Sequence, residues 1–207
     1  MRGVLEEVNF SSALDQRGHH QPSAATPTAV APARHSGSRG ALDLHLTFQQ
    51  DNDIVVLMIP AFDADGNLPA GIHWAEWAEI VARFGGTAHR QRLLSGLHRA
   101  LQQFKSSGCR VLYLDGSFVT AKEHPNDYDA CYDVIGVDPF ALDRDFFDFS
   151  DFQAARVRQK ATYFGEFFPA QAREGGTGRT FVEFFQEDKD TGAARGIIAL
   201  DLRSWQS

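Results

Sequence analysis

Gly116, Ser117, Asp127 and Asp129 are the residues of this sequence whose types and spacing suit catalysis. A short apolar run, Val111-Leu112-Tyr113-Leu114, reads as a buried strand and leads into Asp115-Gly116-Ser117. A short helix starting at such a turn presents unpaired backbone N–H groups and a positive dipole end, which suits a phosphate. Gly116 lets the phosphate approach the backbone, and Ser117 adds a hydroxyl donor. The chain then turns through His124-Pro125-Asn126 into a second strand, Asp127 to Val134. Residues i and i+2 of a strand share a face, with Cα atoms roughly 6.6 Å apart. Asp127 and Asp129 so placed can share Mg2+ or Mn2+, hard cations that also take up a substrate's phosphates. Such ions activate an attacking hydroxyl and stabilise a leaving pyrophosphate. Asp133 lies about 13 Å further along an extended strand and is read as structural.

The surrounding elements must position these groups. Trp74, Trp77, Ile80, Val81 and Phe84 recur at helical spacing, and Gly85-Gly86 ends that helix. A second helix carries Leu93, Leu94, Leu97, Leu101 and Phe104 on one face and stops near Gly108. Residues 139–168 read as mostly helical, and residues 174–179 as a Gly-rich loop without the Gly-Lys-Ser/Thr ending of a phosphate loop. A closing hairpin is expected from Thr180 to Gln186 and Gly196 to Leu202. Asp63, Asp65 and Asn67 resemble the start of a calcium loop, but the offset of the glycine makes them a turn. This order predicts an α/β (α+β) domain, a mixed sheet flanked by helices.

Composition sets the outer limits. The chain has 207 residues, a formal charge of −7 and 43% hydrophobic residues. That is enough for one ordinary domain with a real core. An acidic chain is a poor non-specific binder of nucleic acid. Cys109 and Cys131 have no ligand-like spacing, so neither a disulfide framework nor a zinc site is expected. The apolar run Ile54 to Ile59 is too short to span a bilayer, and no secretory signal is visible. A cytoplasmic protein without membrane contact is expected. Residues 18–42 hold almost no large apolar side chains, so 1–53 is read as a mostly disordered arm and 54–207 as the domain. Met58 stands at the change of composition and is an alternative natural start.

Gly-Ser, about ten residues, then Asp-x-Asp on a strand resembles the motif of the DNA polymerase beta-type nucleotidyltransferase superfamily. Within it, the pattern is similar to the minimal nucleotidyltransferases of bacterial toxin–antitoxin modules. Phe62 to His73 and Gly116 to Asp129 also resemble an uncharacterised bacterial family with the patterns FDxxGNLPxGIH and GSFVTxKxxPxDxD. The superfamily resemblance implies a nucleotidyltransferase-like sheet, triphosphate contacts from Gly116 and Ser117, and metal binding by Asp127 and Asp129. Three departures bear on substrate geometry. Phe118 to Lys122 replaces an Ala-Arg-Gly-like stretch, Asn126 replaces a common Ser, and the gap between the motif halves is one residue short.

The superfamily often adds a third carboxylate from a later strand. Glu183 is the candidate, because a lone acid within Phe181-Val182-Glu183-Phe184-Phe185 is unusual in an apolar strand; a solvent-facing edge position is the other reading. Asp188 and Asp201 are weaker options. Lys122 is either a phosphate contact or a surface lysine. Arg156, Arg158 and Lys160 either guide an RNA end or a triphosphate, or form a solvated helix face. The expected activity is metal-dependent transfer of a nucleoside monophosphate from a nucleoside triphosphate to a hydroxyl of protein or RNA, within a toxin–antitoxin or defence module. The alternative is an inactive relative that binds a cognate antitoxin or another neighbouring-gene protein. A metal-dependent hydrolase is a third option.

Overall fold

Alternation along the strands of this chain separates two apolar faces, and that separation explains the layers. In the computed structural model, which describes residues 59–148 and 150–206, the first strand, β1, runs Gly71–Trp74. Helices α1 (Trp77–Phe84) and α2 (Ala88–Ser106) follow. Strand β2 (Val111–Asp115), a 3-10 turn (Ser117–Val119) and β3 (Tyr128–Tyr132) come next. A second 3-10 turn (Arg144–Phe146) precedes α3 (Phe152–Tyr163), β4 (Gly165–Pro169), the short α4 (Phe181–Phe184) and β5 (Gly196–Asp201).

The five strands form one mixed sheet in the order β1-β5-β2-β3-β4. β5 runs parallel to β1 and antiparallel to β2; β3 runs antiparallel to β2 and parallel to β4. The mixed α/β architecture is therefore the one expected. Leu112, Leu114, Ala130, Phe167 and Ile198 face the main core, where they meet Ile80, Phe84, Leu97 and Phe104 from α1 and α2. Their neighbours in sequence, Cys131, Phe168 and Ile197, face a smaller core with Phe181 and Phe185 from the segment around α4. Phe104 anchors the larger core, with its ring centroid 4.5 Å from Phe146 and 4.8 Å from Tyr132. Gly96 lets α2 touch the C-terminal end of α3, because a Cβ there would collide with the Tyr163 carbonyl.

Several expectations change. Trp74 belongs to β1, which periodicity had merged with α1. The region 139–168 is helical only over Phe152–Tyr163 and in the 3-10 turn; its end is a fully buried strand. Phe164, in the left-handed region at φ 66°, ends the helix and reverses the chain. The closing hairpin does not form. Its first limb is α4, capped when Thr180 and Glu183 exchange hydrogen bonds in a capping box. Its second limb, β5, instead enters the middle of the sheet. The arm 1–53, and the choice of Met58 as a start, lie outside the described residues. Among the described residues, no helix is long and apolar enough to cross a membrane.

Candidate active site

Register places three acids side by side. Asp115 at the end of β2 is the cross-strand partner of Asp129 on β3, and Asp129 is the partner of Glu166 on β4. By alternation all three share the sheet face of Tyr113, Cys131 and Phe168, away from the main core. Asp127, two residues before Asp129, is near enough for its charge to act on that carboxyl. Two of the three aligned side chains are deeply buried: Asp115 and Glu166 are each 2% exposed.

Buried carboxylates need counter-charges. Glu166 receives two hydrogen bonds from Arg156, at 2.5 and 2.9 Å, and lies 2.5 Å from Lys160 Nζ. Lys160 also lies 2.7 Å from Asp127 Oδ2. Arg195 pairs with Asp115 while its Nε donates to the Phe185 carbonyl. Asp115 Oδ1 is left buried without a partner. Those three cations leave none within ion-pair distance of Asp129 among the described residues.

The titration behaviour follows from this. Burial pushes the Asp129 carboxyl up to about 7, the charges of Asp127, Glu166 and Asp115 push the same way, and Lys160 opposes them. Burial raises Asp115 to about 6 against the pull of Arg195. Desolvation draws the Lys160 ammonium down, but its bonds to Asp127 and Glu166 outweigh this and leave it raised.

The Gly-Ser turn sits directly against this group. Gly116 has φ 80°, a conformation that side chains disfavour. A Cβ there would lie 2.7 Å from Asp129 Oδ2 and 3.1 Å from its backbone nitrogen. Gly116→Ala is therefore expected to displace Asp129 and to destabilise the protein by about 1–3 kcal/mol, read by chemical denaturation. Ser117 opens a single 3-10 turn rather than a helix. Any phosphate contact there comes from local N–H groups and the hydroxyl, with little helix dipole behind them.

The loop from Gly116 to Asp127 is stapled by a residue that sequence reasoning missed. Arg90 of α2, buried, donates to the carbonyls of Phe118 (2.8 Å), Thr120 (3.1 Å), Lys122 (2.5 Å) and Phe84 (3.4 Å). His89, one residue earlier, bonds the Pro125 carbonyl through Nε2 at 2.5 Å. An open cleft of about 430 Å³ adjoins Asp127 and Lys160 and is also lined by His89, Arg92, Asn126 and Phe164.

The structure thus brings Gly116, Asp127 and Asp129 together, with Ser117 adjoining Gly116, and leaves Glu183 elsewhere. Glu183 stands on α4 rather than on a strand; it is exposed, and Thr180 holds its carboxyl below the usual range. Asp188 caps its own turn at Thr191 and Asp190, and Asp201 pairs with Arg203. The third acid of the row is Glu166. Lys122 is exposed, and its backbone rather than its ammonium is engaged, through Arg90 and Thr120. The basic cluster is partly exposed and fully engaged in ion pairs. Arg156 and Lys160 are counter-ions of the row, and Arg158 pairs with Asp145.

Among the described residues, no three His, Cys, Asp or Glu side chains converge to hold a metal ion by themselves. The donor set still fits Mg2+ or Mn2+ in company with a phosphate-bearing substrate. Such ions commonly take one or two protein carboxylates and complete their shell with phosphate oxygens and water. An unpaired Asp129 beside Asp127 supplies those two.

Residues 60–201 match the family of unknown function DUF6932. The matched span contains both the Phe62–His73 segment and the Gly116–Asp129 segment. No curated protein and no solved structure matches the chain.

Proposed function

We propose that this chain, which belongs to the family of unknown function DUF6932, is a metal-dependent nucleotidyltransferase. It would move a nucleoside monophosphate from a nucleoside triphosphate to a hydroxyl of protein or RNA, in the cytoplasm. One observation carries the reading: the Asp129 carboxylate, with no ion-pair partner among the described residues, lies against the Gly116 turn within a row of acids.

Asp127 and Asp129 would hold Mg2+ or Mn2+, which supplies charge stabilisation to the phosphates and lowers the pKa of the acceptor hydroxyl. Gly116 admits the triphosphate to the backbone, and the Ser117 hydroxyl donates to it. Lys122, exposed on the same loop, is the residue for the outer phosphates. Arg156 and Lys160 hold Glu166 in place. Catalysis is then mainly positioning and charge stabilisation.

The ion pairs also support a second reading, in which the fold binds a partner and no longer transfers nucleotides. Glu166 is neutralised by Arg156 and Lys160 and has no charge to spare for a metal. The partner would be a cognate antitoxin or another protein of a two-component bacterial module. One experiment separates the two. The protein is incubated with Mg2+ and each α-labelled nucleoside triphosphate in the presence of RNA and protein acceptors. Metal-dependent label on an acceptor supports the enzyme. Absence of label and of nucleotide affinity, with tight binding to a neighbouring-gene product, supports the interaction protein.

A further inference from the structure

Lys160 holds a place between two acids that differ in what they need from it. Glu166 has Arg156 as a two-point partner in addition to Lys160, whereas among the described residues Asp127 has an ion pair with Lys160 alone. A cation arriving at Asp127 and Asp129 brings two charges where the ammonium brings one. It also meets a carboxylate, Asp129, that has no ion-pair partner among the described residues. Lys160 would lose one contact and keep the other, so its displacement strands no buried charge. The side chain is 44% exposed and borders the open cleft of about 430 Å³, so there is space for it to move.

We propose that Lys160 is an exchangeable internal counter-ion. It bridges Asp127 and Glu166 while the site lacks a divalent cation, yields Asp127 when one binds, and stays tethered to Glu166. This rests on the reading of Asp127 and Asp129 as the cation site. It follows that the metal competes with Lys160 for Asp127, and that cation affinity in the absence of nucleotide is low by construction.

The test uses Mn2+ alone and the full chain, with free Mn2+ followed by electron paramagnetic resonance. Lys160→Met is expected to bind Mn2+ at least about tenfold more tightly than the wild type, since a competing charge at contact distance is removed. Lys160→Arg should restore weak binding. Without metal, Lys160→Met should melt at a lower temperature than the wild type and recover on addition of Mn2+. Should Lys160→Met not fold, Lys160→Gln, one atom shorter than lysine but polar and uncharged, serves in its place. Equal or weaker Mn2+ binding by the neutral variant, with binding still weakened by Asp127→Asn, would overturn the exchange and leave the cation site standing. No Mn2+ binding by wild type or neutral variant would overturn both.

Discussion

Asp129→Asn is expected to abolish metal-dependent nucleotide transfer while making the metal-free protein more stable at alkaline pH. The two effects have one cause. Asp129 is the acid of the row with no ion-pair partner among the described residues, and burial pushes its carboxyl up to about 7 from an ordinary 3.8. As pH rises from about 4 to 7, the unfolded chain gives up this proton before the folded chain does. The unfolded state then gains relative to the folded one, and stability falls across that window. Asn carries no such proton. Above pH 7 the variant should therefore exceed the metal-free wild type by on the order of 2–4 kcal/mol, a gap that closes toward pH 4. Denaturant titrations at pH 4.5 and pH 8 read the difference. Loss of transfer should be at least about a thousandfold, as expected when a group held for the transition state is removed. An Asn variant that retains transfer would remove Asp129 from the chemistry. Equal stability at both pH values would mean that Asp129 already has a partner.

Arg90→Met is expected to be the most destabilising change near the site that alters no acid. The guanidinium serves the carbonyls of Phe84, Phe118, Thr120 and Lys122 from a buried position. Methionine fills much of the volume and satisfies none of them. Each carbonyl left buried and unpaired carries a desolvation cost, and the sum should reach about 3–5 kcal/mol. The loop between the Gly-Ser turn and Asp127 should exchange its amide hydrogens faster, while those of β5 change little. Transfer should fall with the loosened loop. A stability change under about 1 kcal/mol would mean that water readily replaces the guanidinium.

The parts of the site that could be read in the sequence are those carried by local pattern. Val111 to Leu114 announced β2, and strand period placed Asp129 on β3; the strand expected from Asp127 to Val134 runs only Tyr128–Tyr132, so Asp127 stands just before it. The leucine stripe of α2 gave that helix almost to its ends. The strand expected around Glu183 failed to form for an instructive reason. Glu166 in Gly-Glu-Phe-Phe-Pro and Glu183 in Phe-Val-Glu-Phe-Phe look alike as lone acids in apolar runs. The distinguishing signal was Thr180, three residues before Glu183, which marks a helix start and assigns that carboxyl to a cap. Gly165, directly after the left-handed Phe164, marks the change from α3 to β4. Arg90 and Arg195 were beyond reach because their partners lie some 30 and 80 residues away. Nothing local announces a guanidinium that serves another loop. The same limit hid the place of β5, whose two neighbours, β1 and β2, come from the other end of the domain.

The left-handed reversal at Phe164 also bears on how the domain assembles. Arg156, Lys160 and Glu166 lie within eleven consecutive residues, joined by that single bend. Contacts so close along the chain close quickly and lose little loop entropy. The α3–β4 unit can therefore neutralise its own acid before β3 docks alongside it. A unit that closed first would carry Glu166 into the interior already paired, sparing the nascent sheet a bare negative charge at its edge.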